Sequence, residues 1–148
     1  MRQDIEMEYL STRLRKSEVR LVDGLIYKEQ PKYLADNEMW CLEKMAKYEC
    51  VPWARRISPE LIEMEYIESE PITNMELFKA YASLFLFKLE KESIRHGDLT
   101  KPHVIVRKNR IHVIDWAESR YWYDPRPDKR TQGDEYWWTK TVKQLLAQ

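Results

Sequence analysis

Two short β-branched runs, residues 103–106 (His, Val, Ile, Val) and 111–114 (Ile, His, Val, Ile), flank the polar stretch Arg107, Lys108, Asn109, Arg110. That pattern leaves the middle of the chain little choice but a tight antiparallel hairpin. Asp98 stands before its first strand and Asp115 after its second. Because an antiparallel hairpin returns the chain to where it started, the two carboxylates are expected at the same edge of the sheet. The local sequences around them are His96-Gly97-Asp98-Leu99 and Ile114-Asp115-Trp116.

A length of 148 residues suits one domain, or two small lobes sharing a core. With 43% hydrophobic and 34% charged residues the balance is that of a globular rather than a disordered chain. The formal net charge of zero argues against polyanion binding by the molecule as a whole. Arg55 and Arg56, and the cluster at 107–110, read as solvated faces, so nucleic acid is not expected as a partner. No apolar run reaches the ~18 residues of a membrane span, and residues 1–6 lack the apolar region of a signal peptide. The expected location is therefore cytoplasmic. Cys41 and Cys50 form no CxxC pair and read as reduced, structural thiols. The spacing of His96, His103 and His112 matches no zinc motif.

Asp23-Gly24 inside residues 18–28 is the strongest short hairpin signal, and the second strand of that hairpin ends in Lys28. Beyond Pro31, residues 33–48 read as a helix with Glu38, Leu42 and Met45 on one face. A glutamate in an apolar face is costly unless a positive group meets it. Glu43, the alternative acid, lies about 140° around the helix from Glu38, away from that stripe. Residues 52–57 and 61–67 read as two more strands. Residues 74–94 are strongly helical, with Leu77, Tyr81, Leu84, Leu89 and the phenylalanines as core material and Thr73 or Asn74 as the cap. A last helix begins at Asp134, after Gly133.

Phosphoryl transfer uses one acid to receive the proton of the attacking hydroxyl and another to hold the metal that neutralises the phosphate oxygens. The two aspartate motifs resemble the protein-kinase-like superfamily, whose catalytic loop reads His-Arg-Asp-Leu, four residues, then Asn, with Asp-Phe-Gly further on. Gly97 and Trp116 are similar to its atypical branches: the RIO kinases, the small kinase of the tRNA threonylcarbamoylation complex, and the aminoglycoside and lipopolysaccharide kinases. The resemblance runs from Val19 to Leu146. It implies an α+β, two-lobed kinase-like fold in one domain, with a sheet-based N-lobe with one helix over about 1–67 and a truncated helical C-lobe over about 68–148. It makes Asp98 the catalytic base and Asp115 the ligand for Mg²⁺ or Mn²⁺. Lys28 and Glu38 become the ion pair that positions the ATP phosphates. Met64 would guard the adenine pocket, with Glu65, Tyr66 and Ile67 supplying adenine contacts.

His103 stands where most of the family has asparagine, and imidazole is a softer ligand than an amide oxygen. A histidine also occupies this place in the lipopolysaccharide core heptose kinases. Residues 11–17, where the family carries a glycine-rich phosphate loop, contain no glycine, so binding there would lean on Arg13, Arg15 and Lys16. Residues 118–133 read either as an activation segment or as a solvated connector. Asp134 reads either as the aspartate that braces the catalytic loop or as a simple N-cap. Helices that in larger relatives follow the last one are missing, so Trp137, Trp138, Val142, Leu145 and Leu146 are expected to form an exposed patch that recruits a second copy or another protein. The implied activity is transfer of the ATP γ-phosphoryl group to a protein Ser/Thr or small-molecule hydroxyl. The alternative is a pseudokinase that binds nucleotide or partners without turnover.

Overall fold

Asp23 and Gly24 both take positive φ, 51° and 81°, as a type I′ turn requires, and they join β1 (Glu18–Val22) to β2 (Leu25–Glu29). The computed structural model describes residues 17–121 and 133–148. The expected phosphate-loop stretch at 11–16 lies outside these residues, with Arg13, Arg15 and Lys16. So does the core of the expected activation segment at 122–132.

The architecture is α+β, a small antiparallel sheet with three helices among the described residues. Beyond β2 the sheet continues with β4 (Leu61–Glu65) and ends on β3 (Ala54–Ser58), in the order β1-β2-β4-β3, with every neighbour antiparallel. Lys28 pairs with Ile62, and both side chains are buried. Tyr27 points to the opposite face, where its hydroxyl donates to Glu63 at 2.7 Å. That alternation is the period of a pleated strand. Helix α1 (Lys32–Met45) starts after Pro31 and packs Ala35, Leu42 and Met45 into the same core as Ile62 and Met64.

Past residue 65 the chain leaves the sheet, and the backbone N–H of Glu70 bonds the carbonyl of Val106 at 2.7 Å. Helix α2 (Met75–Lys91) follows, capped by Asn74, whose side chain accepts from the Leu77 N–H at 3.0 Å. Of the two candidate caps it is therefore Asn74 that acts. The expected hairpin is present as β6 (Val104–Arg107) and β7 (Arg110–Val113), turning through Lys108 and Asn109 at φ 53° and 63°. A two-residue pair, β5 (Ile94–Arg95) with β8 (Arg120–Tyr121), is too short for any periodicity to announce. Helix α3 (Asp134–Leu146) closes the structure.

Two expectations about helix faces are corrected. On α2 the buried stripe is Phe78, Ala82, Phe85 and Leu89, whereas Leu77 and Leu84 are exposed and Phe87 is 61% exposed. On α3 the anticipated open patch does not form. Trp138 and Leu145 are buried, while Trp137, Val142 and Leu146 pack against the core. The reason is α2: Trp138 stacks on Phe85 at 4.6 Å between ring centroids and its indole N–H donates to the Ala82 carbonyl at 2.8 Å. The sequence-based reason for expecting a partner at the last helix is thereby removed. No helix among the described residues is long and apolar enough to cross a membrane.

Removing a buried aromatic costs its transfer energy and leaves a cavity. Trp138→Ala is expected to lower unfolding stability by about 3 to 5 kcal/mol, against less than about 0.5 kcal/mol for Leu84→Ser on the exposed face. Urea denaturation of the two variants side by side checks both values.

Candidate active site

Glu38 is the fixed point around which the site is built. It sits one turn inside α1 with no exposed surface, on the face that Leu42 and Met45 bury. Three donors satisfy its carboxylate. Lys28 Nζ lies 2.9 Å from Oε1, Gln30 Nε2 donates to the same oxygen at 2.8 Å, and the Trp116 backbone N–H donates to Oε2 at 3.1 Å. Glu43, by contrast, is exposed.

From Lys28 the chain of contacts reaches Asp115. Nζ stands 3.2 Å from Asp115 Oδ1, and His103 Nε2 stands 3.0 Å from Oδ2. Asp115 has φ 65°, a left-handed conformation that few side chains tolerate and aspartate adopts more readily than most. His103 is anchored at the end of a short 3₁₀ turn, Lys101–His103, and its Nδ1 meets the Asp98 carbonyl at 2.8 Å. A carbonyl only accepts, so Nδ1 carries the hydrogen and Nε2 faces Asp115. One ligand atom each from Asp98, His103 and Asp115 fall within 4.8 Å of one another, the group of this kind found among the described residues.

The charges follow this geometry. Burial works against a charged Lys28, yet Glu38 and Asp115 outweigh it and hold the ammonium's pKa up at about 12. Burial would raise Asp115, but the His103 hydrogen bond and the Lys28 charge keep its carboxyl well below the usual carboxylate range. Burial also opposes charge on His103, and there the bonds to Asp115 and the Asp98 carbonyl prevail and raise its pKa. His96 goes the other way. Its pKa is lowered by burial, and its contacts suit a neutral ring, with Nδ1 accepting from the Asp98 N–H at 3.2 Å and Nε2 facing the Ile114 carbonyl at 2.9 Å.

The loop bearing Asp98 is held by its backbone. Asp134 accepts from the His96 and Gly97 N–H groups at 2.8 and 2.9 Å, so of its two expected roles it takes the bracing one, and Gly133 is the cap. Thr141 Oγ1 donates to the Leu99 carbonyl at 2.8 Å and Ser119 Oγ to the His96 carbonyl at 3.1 Å. Gly97 has φ 87°, where a Cβ would be strained.

A cavity of about 590 Å³ opens beside these groups. Lys28, Glu38, His103 and Asp115 line its polar end, and Ile26, Met64, Ile105 and Ile114 its apolar wall. Glu65, Tyr66 and Ile67 also line it, and the Glu65 N–H is committed to the Trp53 carbonyl at 2.8 Å. Asp98 is largely buried and is not part of the lining; it adjoins the cavity next to His103. The structure thus brings together Lys28, Glu38, Asp98, His103 and Asp115. Sequence reasoning missed Gln30, which braces Glu38, and Asn37, which donates to the Ala117 carbonyl at 2.8 Å and also to the Ser119 carbonyl. Neither carries a periodic or motif signal. Searched against protein-family models and curated proteins, the chain matches none.

Removing one partner of a buried ion pair strands the other charge. Glu38→Ala is expected to cost about 3 to 5 kcal/mol of stability and Glu43→Ala less than about 0.5 kcal/mol. Chemical denaturation distinguishes the two acids directly.

Proposed function

We propose that the chain is a phosphotransferase of protein-kinase-like, two-lobed fold that moves the γ-phosphoryl group of ATP to a hydroxyl. The observation that carries this reading is the convergence of Lys28, Glu38 and Asp115, from three separate segments, at the polar end of one cavity, with Asp98 adjoining it beside His103. The cavity fits the substrate in kind: an apolar wall for a base, a buried ammonium for phosphate oxygens and a carboxylate and imidazole pair for a cation.

In this reading Lys28 offers its charge to the α- and β-phosphates, and Glu38 is a positioning residue that keeps the ammonium at the cavity wall. Ile26, Met64 and Ile105 enclose the adenine, with the backbone of residues 65–67 along its edge. Asp115 and His103 would hold a divalent cation, which would supply positive charge against the phosphate oxygens. Asp98 receives the proton of the acceptor hydroxyl as the oxygen bonds to the γ-phosphorus and the bond to the bridging oxygen breaks, releasing ADP. The acceptor is a protein Ser/Thr or a small-molecule hydroxyl, and the residues present serve either.

Thermal melting with ATP and a divalent cation, followed by γ-phosphate transfer assays of wild type and Asp98→Ala, tests the reading. At a hundred times its dissociation constant a ligand stabilises by about 2.7 kcal/mol, roughly 5 to 10 °C for a chain of this size. The expected result is such a shift in both proteins, with turnover falling at least a hundredfold in Asp98→Ala, about the share of a general base. No shift removes nucleotide binding. A shift with no turnover in either protein moves the assignment to a nucleotide-binding module.

A further inference from the structure

His103 is held in a way that the phosphotransfer reading does not by itself require. Its Nδ1 donates to the Asp98 carbonyl at 2.8 Å, its backbone N–H bonds the Thr100 carbonyl at 2.9 Å, and its own carbonyl accepts from the Ile114 N–H at 2.9 Å. Ring and backbone are therefore both fixed, and Nε2 is aimed at Asp115 Oδ2, 3.0 Å away. A backbone carbonyl on the far nitrogen is the usual second-layer support of a metal-binding imidazole, since it selects the tautomer and steadies the ring. The 3.0 Å contact is a hydrogen bond from Nε2–H to Asp115, and an ion would take the place of that proton: two ligand atoms, each about 2.1 Å from one ion and at right angles, stand about 3 Å apart, so the exchange needs little movement.

The donor set then bears on which ion fits. Mg²⁺ prefers oxygen ligands and gives up its water shell reluctantly. Imidazole nitrogen is a borderline donor that binds first-row transition dications more strongly. Asp115 contributes hard oxygen whichever ion is present, and Asp98 places a third donor within the same 4.8 Å group, so the discriminating atom is His103 Nε2.

We infer that this centre selects a first-row transition dication, with Mn²⁺ and Co²⁺ as its probes, over Mg²⁺, and that His103 is the residue that sets the preference. The inference deepens the proposed function and rests on that reading of the pocket as a metal and nucleotide site.

The full chain is titrated with Mn²⁺ while the electron paramagnetic signal of the free ion is followed, and bound Mn²⁺ is then displaced with Mg²⁺. Wild type is expected to need at least about tenfold more Mg²⁺ than Mn²⁺ for equal occupancy. His103→Asn, and His103→Gln as a second replacement should the first lose its thermal transition, are expected to bring the ratio to within about threefold. In wild type, bound Co²⁺ should show visible absorption bands that change in the His103 variants. Equal Mn²⁺ and Mg²⁺ affinities in wild type, a ratio unchanged by replacing His103, or no bound Mn²⁺ at all would each overturn the inference. Melting with ADP plus either ion separates the two layers of the reading. Stabilisation by ADP with Mg²⁺ equal to that with Mn²⁺ removes the selectivity and leaves phosphotransfer standing. Ion selectivity without any effect of ADP leaves the metal site and removes the nucleotide.

Discussion

The carboxylate of Glu38 is what the remainder of the site depends on. A carboxylate with no solvent contact is tolerated only if its oxygens are fully met, and here three donors come from two places: Lys28 and Gln30 at the end of β2, and the peptide N–H of Trp116. α1 can therefore dock in essentially one rotation and at one depth. Because Lys28 also touches Asp115, the sheet, the helix and the loop after β7 share a single buried charge network.

A second set of contacts fixes the Asp98 loop, and it acts on the main chain rather than on the aspartate. Asp134, Thr141 and Ser119 hold peptide groups of His96, Gly97 and Leu99, and the His96 ring closes the loop onto Ile114. The neutral tautomer of His96 fits this work, since a buried imidazolium beside the Asp98 N–H would bring two donors face to face. Phe85 lies under the whole arrangement, touching the rings of both Trp116 and Trp138.

What could be read beforehand was whatever has a local signature. Asp23-Gly24 demands a particular turn, Glu38 in an apolar stripe demands a cation, and the runs around Arg107 demand a hairpin; all three are present. The burial of α2 was not readable, because apolar residues occupy nearly every direction around it and the helical period singles out no face. Only the arrival of Trp138 and the β6–β7 hairpin decides that Phe85 is inside and Phe87 outside. Asp134 shows a different limit. An acid in the first turn of a helix is favourable whether or not it braces anything, so cap and brace look the same in a linear sequence. Gln30 and Asn37 act through partners fixed only in three dimensions, and the Asn37 acceptors lie some eighty residues along the chain.

Asn109 carries a consequence for how the molecule assembles. It occupies the left-handed position of the β6–β7 turn, and its side-chain oxygen accepts from the peptide N–H groups of Thr73 and Asn74 at 2.8 and 2.9 Å. A hairpin of two four-residue strands has too little surface to persist alone in water. A helix start with unsatisfied N–H groups is equally slow to nucleate. One amide meets both, so the β6–β7 turn and the start of α2 are ordered through a single side chain, and loss of either piece withdraws support from the other.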